Sequence, residues 1–164
     1  INPMNVYGST KQEAEQIIIK SDKKFTILRT NIFGWHFLNK NIGLLNFIYR
    51  NLKEKNETTL FKDVFFTPIS IPTFIEGLIK IIENEITGTF NFAGNERISK
   101  LDFGLLVADV RGLDKSFITP ISIDEKCFIA KRPKEMSMDS TKISNHVKIP
   151  KTVIEQIIEL GFPN

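Results

Sequence analysis

Apolar positions follow two rhythms along this chain. Between Tyr7 and Lys20, Ala14, Ile17 and Ile18 recur at helical spacing while Glu13, Glu15 and Gln16 take the intervening places. That spacing predicts a helix, preceded by Pro3 and ended by Ser21-Asp22. The run from Phe25 to Phe33, closed by Gly34, reads as one buried strand. Gly43 to Lys55 is a second amphipathic helix with Leu44, Phe47, Ile48 and Leu52 along one side. Short strands are expected around 59–61 and 65–67. Pro72 to Glu85 is the clearest helix, because Pro72 suits a first turn and Phe74, Ile75, Leu78, Ile81 and Ile82 form an apolar stripe.

Thr87-Gly88 breaks the chain before a strand over 89–93 that stops at Gly94. Ser99 and Asp102 have the spacing of a capping box, with Asp in place of the usual Glu, and open a helix to about Arg111 that Gly112 is placed to end. Lys115 to Lys134 is mixed, and two short helices are expected over 139–146 and 150–160. Helices alternating with apolar strands argue an α/β fold built on a parallel sheet.

Composition narrows the picture. The chain has 164 residues, enough for one domain with a real core and not comfortably for two. Its 22 basic and 19 acidic residues are scattered, so the net charge of +3 marks no nucleic-acid face, and no nucleic-acid partner is expected. Cys127 is the only cysteine, which excludes an intramolecular disulfide and a zinc site built on paired cysteines. His36 and His146 lie far apart in sequence, so no metal site is expected. A lone cysteine fits a reducing cytoplasm, the expected location. No apolar run approaches the roughly 18 residues of a membrane-crossing helix, so no membrane partner is expected. Ile1 stands where a natural start would supply Met and no signal pattern follows, so the chain reads as a piece of a longer protein.

Tyr7 and Lys11 carry the chemistry. Four residues apart on a helix, they share one face. An ammonium beside a phenol favours the phenolate, so such a pair can exchange a proton with a carbonyl or an alcohol near neutral pH. Two tyrosines in a lysine-rich chain meet this spacing by chance roughly one time in five, so the pair alone is weak. Its flanks strengthen it.

Pro3-Met4-Asn5-Val6-Tyr7-Gly8-Ser9-Thr10-Lys11 with Glu15 closely resembles the P-x-N-x-Y-G-x-[ST]-K-x-x-x-E segment of extended short-chain dehydrogenases, most of all the dTDP-4-dehydrorhamnose reductase branch. Further matches follow in order: Ile27 to Thr30 with Asn31 to Gly34, then Asp63, Phe65 and Pro68. After these come Gly88 to Gly94 with Ser99 and Phe103, and finally Lys131-Arg132-Pro133 with Ser137, Asp139 and Lys142. Val64, Phe66 and Thr73 depart from the pattern, where Gln, Gly and Asp are usual, and these departures bear on the substrate rather than the fold.

The resemblance implies the C-terminal part of a Rossmann-type, doubly wound parallel sheet plus a small mixed substrate-binding region. Residues 1–34 would hold the catalytic helix and following strand. Residues 35–164 would be mainly substrate-binding, with 86–94 returning to the sheet. Tyr7 would be the general acid that protonates the sugar carbonyl oxygen, and Lys11 would lower the phenol pKa and bind the nicotinamide ribose. Asn31, Ile32 and Phe33 would border nicotinamide and sugar, with a structural role for Asn31 equally open. Arg132 would meet the nucleotide pyrophosphate, as a guanidinium fork matches paired phosphate oxygens, with a plain surface Arg before the Pro133 turn equally open. Trp35, beside His36, would either stack on the sugar ring or anchor the core.

The cofactor implied is NADPH or NADH, bound mainly by an N-terminal half this sequence lacks. Its nine glycines never form the phosphate-binding G-x-x-G-x-x-G, and the third catalytic Ser or Thr of the family lies upstream. The chain alone is therefore expected to be inactive. The missing half is expected as a partner, in another chain or cleaved in place, or else copies associate through exposed sheet edges as a homodimer. The leading function is reduction of a nucleotide-linked 4-keto-6-deoxy sugar for polysaccharide precursors. An epimerase or dehydratase of the same superfamily, and a non-catalytic regulatory subunit keeping the fold, are the alternatives.

Overall fold

Asn5 opens the first helix, α1 (Val6–Ile19), its side-chain oxygen accepting from the Gly8 amide at 2.9 Å. The structure is a computed structural model and describes residues 3–36, 42–148 and 151–161. After α1 come β1 (Thr26–Arg29), β2 (Ile32–Phe33), α2 (Leu44–Lys53), β3 (Thr58–Phe61), β4 (Phe65–Phe66) and β5 (Ile69–Ser70). Next are α3 (Ile71–Glu83), β6 (Gly88–Asn91), β7 (Ile98–Ser99) and α4 (Lys100–Arg111). The last third holds β8 (Ile118–Ile121), two short 3-10 turns, β9 (Glu135–Met136), α5 (Thr141–Ser144) and α6 (Val153–Glu159).

The fold is α/β with parallel pairing. β1 pairs in parallel with β6, from Thr26 opposite Gly88 to Arg29 opposite Asn91. β2 pairs with β5, and β3 with β8, also in parallel. β4 lies between β7, antiparallel, and β9, parallel.

The apolar run over 25–33 is two strands rather than one. The chain leaves β6 at Arg29, whose carbonyl accepts from the Phe92 amide, and joins β5 at Asn31, whose carbonyl accepts from the Ile69 amide. Nor is the run fully buried: Thr26 and Ile32 are exposed, Leu28 is half-buried against the core and, of the two strands, only Phe33 is buried. The two terminal helices are shorter than their apolar patterns suggest. Asp139 turns its carboxylate onto the Thr141 amide (2.8 Å), which delays α5, and Thr152 with Glu155 forms a capping box that starts α6 at Val153. Residues 149 and 150 lie outside the described ones.

Two clusters make the core. In the larger, Phe103 of α4 receives the edges of Phe33 (5.1 Å) and Phe66 (5.5 Å), with Leu45 and Ile48 of α2 and Ile157 of α6 closing around them. The smaller joins Ile69, Ile81, Phe90 and Phe92 to Ile143 and Val147. Neither includes α1, which buries no side chain at all.

Candidate active site

Tyr7 and Lys11 share one face of α1, with the Lys11 ammonium 5.6 Å from the Tyr7 ring centroid. Tyr7 is 72% exposed, and among the described residues neither its hydroxyl nor the ammonium is consumed by another side chain. With no buried residue to seat it, α1 is held at its two ends. At the front, the Asn5 amide donates to the Lys131 carbonyl (3.1 Å). At the back, Arg29 of β1 grips Glu15 with two hydrogen bonds, Nε to Oε1 at 2.8 Å and Nη2 to Oε2. Tyr7, Lys11 and Glu15 lie at i, i+4 and i+8, so the ion pair that fixes Glu15 also fixes which way the Tyr7–Lys11 face turns.

Arg29 holds the Glu15 carboxyl below its usual range, chiefly by hydrogen bonding. A carboxylate lowered in the folded state contributes stability that is present above its unfolded value, about 4.3, and is lost as pH falls through the folded one. Arg29→Leu should therefore loosen α1 by about 1–2 kcal/mol. In hydrogen exchange corrected for intrinsic rates, the α1 amides should lose about tenfold or more in protection while those of α4 keep theirs. The same loss should appear in the wild type as pH falls below about 4.

Two cavities hold the other expected residues. Arg132 lines a cleft of about 870 Å³ together with Met4, Ile123 and Phe128. Its guanidinium stands 4.6 Å over the Phe128 ring and forms no ion pair among the described residues. The floor is braced by Asp63, which accepts from Ser122 Oγ (2.6 Å) and the Ile123 amide (2.9 Å) and pairs with Lys134 (3.0 Å). The Ser122 hydroxyl, the Ile123 amide and then Lys134 hold its carboxyl well below the usual carboxylate range.

Asn31, Ile32, Phe33 and Trp35 come together on a second cavity, of about 360 Å³. The Asn31 amide donates to the Met136 carbonyl (2.9 Å) and weakly to Thr67 Oγ1 (3.4 Å), so it ties the cavity wall to β9, one strand from the Arg132 loop. Trp35 is 7% exposed, packs edge-on to Tyr49 (5.1 Å) and donates its indole N–H to the Gly161 carbonyl (3.1 Å). Those contacts are a core anchor's, made at the cavity's edge. The structure thus places Arg132 on one cavity and Asn31, Ile32, Phe33 and Trp35 on the other, while Tyr7 and Lys11 line neither.

Comparison with known proteins gives the family. The profile of the RmlD substrate binding domain matches residues 1–160. The chain belongs to that family. Methionine adenosyltransferase 2 subunit beta of Bos taurus is 26% identical over 160 residues, covering 87% of the chain and 44% of that protein. The dTDP-4-dehydrorhamnose reductase of Aggregatibacter actinomycetemcomitans is 27% identical over 154 residues, covering 87% and 51%. Among solved structures, a dTDP-4-dehydrorhamnose reductase from Clostridium acetobutylicum superposes with a TM-score of 0.87 at 25% identity, over 98% of the chain and 56% of that structure. The chain therefore spans about half the length of the relatives it matches. The fold is that of the extended short-chain dehydrogenases, with their Rossmann-like parallel sheet.

The sequence pattern leaves out several residues of the second cavity, Lys100 among them. Lys100, in the first turn of α4, lines it with its ammonium 3.9 Å from the Phe66 ring centroid. Burial lowers its pKa to about 8. The available signal was its position: a cation directly after the Ser99 cap opposes the helix dipole. Between about 8 and the unfolded value near 10.4, the unfolded chain binds the extra proton, so stability should rise with pH across that window. Lys100→Met should flatten the rise, as read by urea unfolding at pH values on either side of it. Among the described residues, no helix is long and apolar enough to cross a membrane.

Proposed function

We propose that this chain is the proton-donating and substrate-binding half of an NAD(P)H-dependent reductase acting on a nucleotide-linked 4-keto-6-deoxy sugar. The observation that carries the reading is the open Tyr7–Lys11 face, with α1 tied by Asn5 to the loop that bears Arg132, which forms no ion pair among the described residues. Likeness to dTDP-4-dehydrorhamnose reductases supports the substrate class.

Tyr7 donates its phenolic proton to the carbonyl oxygen, which becomes the alcohol. Lys11 stabilises the phenolate left behind and offers its remaining donors to a ribose hydroxyl. A nicotinamide cofactor, when bound, supplies the hydride. The residues present fit such a group, since both donors are exposed on one face and unspent. Asn31, Ile32 and Phe33 border the reacting rings, Trp35 steadies that wall, and the Arg132 fork takes paired phosphate oxygens. The pyrophosphate of the dinucleotide needs a Gly-rich turn that these 164 residues lack, so the cofactor is held by a further half of the protein, and this chain alone turns nothing over.

The test is oxidation of NADPH or NADH by the full protein in the presence of a dTDP-4-keto-6-deoxy sugar. Turnover that depends on Tyr7 supports the reading, and equal rates for wild type and Tyr7→Phe would sink it.

The match to methionine adenosyltransferase 2 subunit beta favours one second reading, a regulatory subunit that keeps the fold. Under it, the full protein consumes no NAD(P)H with any nucleotide sugar and instead changes the kinetics of a partner enzyme.

A further inference from the structure

Lys100 is set against three electrostatic costs at once. Its ammonium is withdrawn from water along the wall of the 360 Å³ cavity. It stands at the positive end of α4, where a cation is disfavoured. Among the described residues it makes no ion pair and no side-chain hydrogen bond, and the face of Phe66 is its only polar compensation. Asp102, the carboxylate nearest in sequence, is taken by the Ser99 hydroxyl (2.7 Å) and amide (3.4 Å), which close the capping box. The helix end is thus satisfied by its own residues, and Lys100 is left over. The remaining wall is largely apolar, from Ile32, Phe33, Leu45 and Ile71.

A cation kept in such a place is strongly favoured to meet an anion that arrives with its own apolar or ring-shaped body. We propose that Lys100 is the anion-binding residue of this cavity, taking a phosphate or carboxylate oxygen of the ligand while its ring portion lies against Phe33, Phe66 and Ile71. This is a second anion contact, separate from Arg132 in the neighbouring cleft. It rests on the reductase reading only for the identity of the ligand as a nucleotide sugar. Under that reading the oxygen belongs to a phosphate, and a sugar carboxylate is the other source of the same chemistry.

The experiment is an NMR pH titration of the full protein carrying ¹³C-labelled lysine, with the Lys100 signal assigned from Lys100→Arg. Three probes are compared: pyrophosphate, dTDP and glucuronate. Lys100 is expected to titrate near 8 in the free protein and to move up by about one unit or more under a saturating anion. Lys100→Met should weaken binding of that anion about tenfold or more, while Lys100→Arg keeps it within about threefold. Response to pyrophosphate and dTDP marks a phosphate site, and response to glucuronate alone marks a carboxylate site; either supports the proposal. No shift with any probe, or equal affinities for wild type and Lys100→Met, overturns it. Lys100→Met sheds a desolvated charge, so its thermal unfolding should be no lower than wild type, which separates lost binding from lost fold. A Lys100 shift in a protein that consumes no NAD(P)H refutes the reductase reading and leaves the anion site standing. NAD(P)H turnover with an unmoved Lys100 does the reverse.

Discussion

Tyr7→Phe should lower kcat of the full protein about 10²–10⁴-fold, with KM for the nucleotide sugar changed by less than about threefold. The substitution removes one oxygen from a side chain that is 72% exposed and has no packing role, so the fold has no reason to respond. The loss falls on the transition state, because the hydroxyl is needed only as the carbonyl oxygen gains negative charge. Lys11→Met should behave differently. It removes the ammonium beside the phenol and a donor to the cofactor, so kcat should fall and KM for NAD(P)H should rise together. Steady-state kinetics with the three proteins reads all of this. Unchanged kcat in Tyr7→Phe would remove the proton-donor role.

Gly94→Ala should cost about 2–4 kcal/mol, a fall in Tm of roughly 6–12 °C for a chain of this size. An added Cβ would lie 2.0 Å from the Pro68 carbonyl oxygen and 3.1 Å from its carbon, which are backbone atoms that cannot rotate away. Relief requires the crossing of the chain after β6 over the segment before β5 to open, and the Gly94 amide bond to the Thr67 carbonyl goes with it. Thr67 Oγ1 accepts from Asn31 and from the Met138 amide, so the disturbance should reach the wall of the second cavity. Gly112→Ala is the control. There φ is +62° and a Cβ meets nothing within 4 Å, so only the left-handed backbone is penalised, by about 1 kcal/mol. Calorimetry of the two variants should rank them in that order.

Much of this was legible in the chain because local signals and tertiary demands agree. Ser99 with Asp102 and Gly112 bracket α4 as their spacing suggests, and Pro72 sits in the first turn of α3. The run over 25–33 was harder, since apolarity is silent about partners: one continuous pattern serves two strands that pair with β6 and with β5. The stripe of Ala14, Ile17 and Ile18 gives the helix but not its setting, because those side chains are exposed and α1 is held by Glu15–Arg29 and Asn5 instead. That Tyr7 and Lys11 share one face of α1 was readable from their spacing. Lys100 was not, because its meaning depends on Phe66 and Asn31, which lie 34 and 69 positions away along the chain and meet it only in the folded cavity.

Under the proposed reading, the full protein delivers a proton to a sugar carbonyl as a hydride reaches the same group. The most direct measurement follows the hydride, using the full protein, a dTDP-4-keto-6-deoxy sugar and NADPH deuterated at the transferring position. Mass spectrometry and NMR of the sugar should show one deuterium at C4 for each cofactor oxidised, and Tyr7→Phe should slow its appearance in step with kcat. A sugar recovered as the ketone without deuterium, or epimerised with no cofactor consumed, would contradict it.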